Sequence, residues 1–87
     1  MPYIEPDDRV YLDQRVTFTN NAIQTPGELN YAITKLLDHY IHSHGLSYTN
    51  INEAIGVLEC AKMELYRRIA VPYEDIKMKQ NGDVYTV

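Results

Sequence analysis

The feature that most constrains the fold is a helix-start signal followed by a long apolar stripe. Thr25 precedes Pro26, and Glu28 stands three residues after Thr25. A threonine N-cap, a proline at the first helical position and a glutamate at the third form a capping box. The apolar positions that follow recur at helical spacing: Leu29, Ile33, Leu36, Leu37, Tyr40 and Ile41. This pattern predicts a helix over about 26–44, ended by Gly45 at the left-handed position after the helix.

A second apolar stripe predicts a second helix over about 49–71. Its members are Ile51, Ala54, Ile55, Leu58, Ala61, Leu65 and Ile69. Pro72 is expected to end this helix, because proline lacks an N–H group and its ring clashes with the carbonyl four residues earlier. The connection near Gly45 is short, and short connections make consecutive helices antiparallel neighbours. The predicted fold class is therefore all-α, with an antiparallel helical hairpin.

The two ends of the chain carry weaker patterns. Pro6 followed by Asp7 and Asp8 is typical of a helix start and predicts a short N-terminal helix over roughly 7–16. Asn81-Gly82 lies between two alternating stretches, which predicts a β-hairpin in the C-terminal tail 73–87. The 87 residues are expected to form one small helical domain, 1–87, that ends in this tail.

The size and the charge of the chain limit the partners that it can be expected to bind. Two long helices and one short helix make a thin core, so we expect a homo-oligomer. The formal net charge of −4 argues against general DNA or RNA binding, which needs a basic face. The charge is uneven: residues 60–87 carry five bases against four acids, whereas residues 1–59 carry three bases against eight acids. An anion site is therefore expected in the C-terminal third.

The cellular compartment follows from two absences in the sequence. Cys60 is the only cysteine, and one thiol cannot form an internal disulfide, so a reducing cytoplasm is expected. The acidic N-terminus lacks the apolar core of a signal peptide, and no stretch approaches the length of a membrane span.

No motif specifies a reaction. His39, His42 and His44 are near neighbours and could suggest a metal site, but zinc needs three or four convergent ligands, and no Cys or Glu stands at a fitting spacing. Polar residues that favour the helix dipole are the preferred interpretation. Cys60 has no histidine in a recognisable partner motif. We therefore expect neither enzymatic activity, nor a metal, nor a cofactor.

A cluster of basic and aromatic residues lies near the expected end of the second helix. Arginine binds phosphate with two parallel hydrogen bonds, and tyrosine rings stack on bases. Simple packing is the competing interpretation for the tyrosines. Lys62 falls within the apolar stripe, so it is expected to snorkel, to pair with an acid or to point into a site, and snorkelling is favoured. An antiparallel neighbour would add the N-terminus of the first long helix, which attracts anions. The candidate ligand-binding residues are Lys62, Tyr66, Arg67, Arg68, Tyr73 and Thr25.

Three stretches resemble a family of small, uncharacterised proteins of phages and bacteria: 27–34 (GELNYAIT), 58–68 (LECAKMELYRR) and 81–85 (NGDVY). Residues 67–75 (RRIAVPYED) are also similar to phage anti-CBASS sponges, whose second long helix ends in arginine, aliphatic residues, proline and acids. That resemblance implies an antiparallel helical pair, assembled into homo-oligomers that sequester cyclic-nucleotide immune signals. The first half of the chain has no counterpart in the sponges.

The expected function is a non-enzymatic, homo-oligomeric phage protein of the host cytoplasm that binds an anionic, nucleotide-like ligand. A structural or protein-interaction module, such as an inhibitor of a host protein, is the alternative.

Overall fold

The computed structural model describes residues 2–16 and 21–87, in which every regular element is helical. The all-α class is therefore confirmed. The elements are α1 (Pro6–Asp13), α2 (Pro26–His44), α3 (Tyr48–Leu65), a π-helical turn (Tyr66–Ala70) and α4 (Val71–Asn81). The bounds of α2 match the expected 26–44, and α1 is shorter than the expected 7–16. The chain divides into two units, residues 2–55 and residues 56–87, with the boundary inside α3.

The capping box at the start of α2 is confirmed, with one change of partner. The Thr25 hydroxyl oxygen accepts a hydrogen bond from the Glu28 N–H at 3.1 Å. The Glu28 carboxylate in turn accepts from the Thr25 hydroxyl at 3.1 Å and from the Gln24 N–H at 3.4 Å. In a standard capping box this carboxylate accepts from the N–H of the cap residue, whereas here it accepts from the N–H of Gln24, one residue earlier. At the other end, Gly45 has φ +101° and donates its N–H to the Ile41 carbonyl at 2.7 Å.

The turn from α2 into α3 is held by polar side chains within residues 2–55. The Asn50 side-chain amide donates to the carbonyls of His44 at 3.1 Å and Gly45 at 2.9 Å. The Ser47 hydroxyl oxygen accepts the Asn50 N–H at 3.1 Å, so that Ser47 caps α3. One turn further along, the Tyr40 hydroxyl donates to Glu53 Oε2 at 3.2 Å. These bonds place the first turns of α3 beside the last turns of α2.

Two expectations about the C-terminal third are wrong. Pro72 does not end the helix, because the π-helical turn precedes it and α4 continues to Asn81. The Val71 N–H bonds to the Tyr66 carbonyl, five residues back, and this wider turn makes room for the proline ring.

The expected β-hairpin is absent from residues 73–87. Residues 73–81 are helical, and residues 82–87 form no regular element. Gly82 has φ +88° and donates its N–H to the Met78 carbonyl at 2.8 Å. The Asn81-Gly82 pair therefore ends a helix instead of turning a hairpin. Both structures use a glycine with positive φ, so the local sequence signal is the same for each.

Burial is the property in which the structure differs most from a typical globular domain. None of the described residues is buried. Within residues 2–55, the apolar residues nearest to burial are half-exposed: Ala32, Leu37, Ile41 and Ala54. Within residues 56–87, Leu65 keeps 64% and Ile69 keeps 63% of its surface exposed. Within each unit, the described residues therefore form helices without enclosing a core.

Removing the cap hydroxyl should destabilise the protein. Thr25→Ala is expected to lower the free energy of unfolding by about 1 kcal/mol, because the Glu28 N–H loses its acceptor. The measurement is thermal or urea unfolding followed by circular dichroism at one fixed protein concentration. Thr34→Ala, in the middle of the same helix, is the matched control and should be neutral or slightly stabilising, since alanine is the better helix former. Equal effects of the two substitutions would contradict the role of the cap.

The hydrogen bond between Tyr40 and Glu53 should be visible in a pH titration. Donation to Glu53 raises the pKa of Tyr40 above its ordinary value of 10.0, aided by partial desolvation and by the carboxylate charge. The folded state therefore holds this proton more tightly than the unfolded state. The stability it contributes is complete below about pH 10 and is lost as pH rises through the folded pKa.

Glu53→Ala is expected to move the Tyr40 pKa back toward the ordinary value, because the substitution removes both the hydrogen-bond acceptor and the charge. The titration can be followed by NMR of the tyrosine ring carbons. An unchanged Tyr40 titration would show that the two side chains are not paired in solution.

Candidate functional site

The π-helical turn carries three of the six candidate ligand-binding residues: Tyr66, Arg67 and Arg68. A π turn inserts one extra residue into a helical turn, and such turns are frequent at functional sites. Here its immediate cause is Pro72, which has no N–H group to donate to the preceding turn. The residue that was expected to end the helix instead widens the turn that presents the candidate residues.

A surface groove of about 560 Å³ lies beside this turn, within residues 56–87. Three candidate residues line it together with three others: Glu59, Lys62, Met63, Glu64, Tyr66 and Arg67. Most of these positions are three or four residues apart, so they lie along one side of a helix. The groove is open because all of its walls come from this one helical stretch. It would need a second surface to enclose a ligand.

Two ion pairs neutralise the groove. Lys62 Nζ lies 2.9 Å from Glu59 Oε1. The Arg67 guanidinium binds Glu64 with two hydrogen bonds, from Nε to Oε1 at 3.0 Å and from Nη2 to Oε2 at 3.1 Å. Two cations and two carboxylates leave no net charge, so the groove alone attracts anions weakly. Of the alternatives for Lys62, the structure shows pairing with an acid, because its side chain is 71% exposed and its ammonium is bonded to Glu59.

The other three candidate residues do not line this groove. Arg68 is exposed and makes no hydrogen bond or ion pair to any residue within 2–16 and 21–87. The Tyr73 ring, in α4, is 60% exposed and has the Lys77 ammonium 5.5 Å from its centroid. Thr25 belongs to the unit 2–55, where its hydroxyl already serves the helix cap. Arg68 is therefore the candidate cation best able to take a new anionic partner.

The structure also holds a groove that the sequence interpretation missed. It has a volume of about 450 Å³ and lies between α4 and the segment after it. The lining residues are Glu74, Asp75, Lys77, Met78, Asn81, Gly82, Asp83, Val84 and Tyr85. The groove was missed because the sequence pattern of the tail was interpreted as two strands. The signal that could have found it is Gly82, since a glycine that ends a helix lets the following residues turn back along it.

The three histidines do not converge. The His44 ring stacks on Tyr40 with centroids 4.1 Å apart, and its Nδ1 lies 2.9 Å from the Tyr40 carbonyl oxygen. No group of three or more His, Cys, Asp or Glu side chains in the described ranges is placed to hold a metal ion. Cys60 is an exposed free thiol.

These features define a small helical protein with its candidate ligand-binding residues concentrated on the helical stretch around a π turn. Residues 1–84 match the family described as a domain of unknown function, DUF6899, and the chain belongs to this family. None of the curated proteins and none of the solved structures compared with the chain matches it. The resemblance to an uncharacterised family is confirmed at this level, while the phage origin stays a prediction. No helix in the described part of the chain is long and apolar enough to cross a membrane.

Substitution of Pro72 tests whether the helix continues through the π turn. Pro72→Ala is expected to raise the thermal midpoint, because alanine restores a backbone donor and proline inside a helix is about 3 kcal/mol less favourable than alanine. The gain should be smaller than that value, since the wide turn already relieves the clash. Pro26→Ala is the control and should give no gain, because Pro26 stands where a helix prefers proline. A destabilised Pro72→Ala protein would show that the proline limits the helix after all.

Proposed function

We propose that this protein is a non-enzymatic, homo-oligomeric binding protein whose subunits associate through the apolar faces of their helices. The observation that carries the proposal is the absence of any buried residue among those described. Large apolar side chains in both units keep between one third and two thirds of their surface exposed, among them Leu36, Ile55, Leu65 and Ile69. Burying one such side chain completely is worth about 1.5–3 kcal/mol.

Self-association is the simplest way to gain that free energy. Small domains rarely leave contiguous apolar surface exposed unless it forms an interface. A chain of 87 residues is short enough that oligomerisation commonly supplies the missing core.

The bound molecule in this proposal is a small anionic, nucleotide-like ligand. Arg68 supports this part, because its exposed guanidinium has no ion-pair partner in the described ranges. Arg67 and Lys62 contribute less, because each already has a carboxylate partner. The likeness of residues 67–75 to phage sponges makes cyclic nucleotides the first ligands to test and the host cytoplasm the expected compartment.

A protein-interaction module is the second candidate, and the neutral groove favours it. Met63 is 61% exposed and Tyr66 is 55% exposed, with the two compensated ion pairs on either side. Apolar and aromatic residues surrounded by balanced charges are typical of protein interfaces. An inhibitor of a host protein would use this surface without any nucleotide.

Sedimentation velocity over a range of protein concentrations tests the assembly. We expect a dimer or larger species at micromolar concentration, because none of the described residues is buried. A stable, folded monomer of 10.1 kDa at all concentrations would overturn the proposal.

A thermal-shift screen against cyclic mono-, di- and trinucleotides and cyclic ADP-ribose isomers tests the ligand, and calorimetry then compares variants with the compound that binds. Arg68→Ala should weaken binding about tenfold or more, because charge-assisted hydrogen bonds are worth roughly 1.5–3 kcal/mol. Arg67→Ala should weaken it less, since Glu64 already holds that side chain, and Lys79→Ala is the charge-matched control. No stabilisation by any nucleotide would favour the protein-interaction module.

A further inference from the structure

One face of the helical stretch in residues 56–87 carries a heptad pattern. Leu58, Lys62, Leu65 and Ile69 follow one another at spacings of four, three and four. These are the alternating a and d positions of a coiled coil, with Lys62 and Ile69 at a and the two leucines at d. In the sequence, the same spacing extends backward to Ile55 at a and Ile51 at d.

Within residues 56–87, the side chains of this face are exposed. Leu65 and Ile69 keep nearly two thirds of their surface exposed, Leu58 keeps 39%, and the Lys62 side chain is 71% exposed. The face also has a defined end. The π turn begins at Tyr66 and adds a residue to its turn, which shifts the helical phase beyond it. Residues from Tyr66 onward therefore leave the regular heptad phase, so that Leu65 is its last apolar position and Ile69 lies within the π turn.

We infer that a second copy of this chain covers this face, in a parallel two-stranded coiled coil with the two copies in register. The inference rests on the proposed homo-oligomer and names its contact surface. β-branched residues at a with leucine at d favour two parallel strands, and a single lysine at an a position is a known device for fixing register and strand number.

Charge balance supports a second copy as the occupant. In register, the two Lys62 side chains meet in one layer, which alone would be repulsive. Each lysine brings its own counterion, because Glu59 Oε1 lies 2.9 Å from Lys62 Nζ. The layer therefore contains two lysines and two glutamates and carries no net charge. A purely apolar partner would instead leave Lys62 against a surface that cannot solvate it.

Cysteine cross-linking tests the arrangement directly. In full-length protein with Cys60→Ser, a second substitution Leu65→Cys places one thiol at a d position of each copy. In a parallel pair in register, these thiols face each other, and mild oxidation should convert most of the dimer to a disulfide-linked form. A disulfide needs Cα atoms about 4.4–6.8 Å apart, so an antiparallel or shifted pair should not form it. Met63→Cys in the same Cys60→Ser protein lies off the seam and is the control that should stay uncross-linked.

A charge swap in the lysine layer gives a second, independent test. Differently tagged wild type and Lys62→Glu protein are mixed, and the species are counted by native mass spectrometry. The mixed dimer should exceed the fraction expected from random pairing, because its layer joins a lysine to a glutamate. Glu64→Lys, whose position lies outside the seam, should give random pairing with wild type.

The outcomes separate this inference from the proposed function. A monomer in sedimentation would overturn both. An oligomer that neither cross-links through Leu65→Cys nor favours the mixed Lys62→Glu dimer would overturn the parallel seam and leave the homo-oligomer standing. If Leu65→Cys loses its helix content, Leu58→Cys at the other leucine position supplies the cross-link, and the charge swap stands without either cysteine.

Discussion

The apolar faces of the helices are the constraint on which the rest of this structure depends. A helix in water is marginal unless one of its faces packs against something else. In this chain the helices form by local rules, through caps, spacing and short turns, but no described side chain is buried within a single copy. The proposed homo-oligomer would supply this packing through the surfaces that these helices present outward. This is why assembly, and not a pocket, is the leading functional interpretation.

The π turn before Pro72 links the fold to the candidate site. A proline inside a helix removes a hydrogen-bond donor, and its ring clashes with the carbonyl four residues earlier. Here the helix continues past the proline through a wider π turn. That turn carries Tyr66, Arg67 and Arg68, and it also stops the regular heptad repeat at Leu65. One backbone irregularity thus separates a regular, apolar stretch from a second helix with a different phase. It sets the place where aromatic and cationic side chains are displayed together.

Electrostatics within the site are more balanced than the sequence suggests. Counting charges along residues 60–87 indicates a mildly basic region, but charge counting does not show which cations are already paired. Helical spacing brings Glu59 to Lys62 and Glu64 to Arg67, so these two cations are compensated at close range. Arg68 has no such partner in the described ranges, which makes it the residue on which anion binding would depend.

The sequence by itself determined the local events. The capping box at Thr25, the end of α2 at Gly45 and the helical class of the chain are all set by residues within one or two turns of each other, so pattern alone predicts them. Pro72 and Asn81-Gly82 misled the prediction, because each is a local signal with two structural solutions. Proline is compatible with a helix end or a π turn, and a glycine with positive φ serves a hairpin or a helix end equally well. Only the three-dimensional structure decided between them, through the helical hydrogen bonds that continue past the proline. It alone also showed which cations are paired and that the apolar faces remain uncovered, because burial and pairing depend on which atoms meet in space.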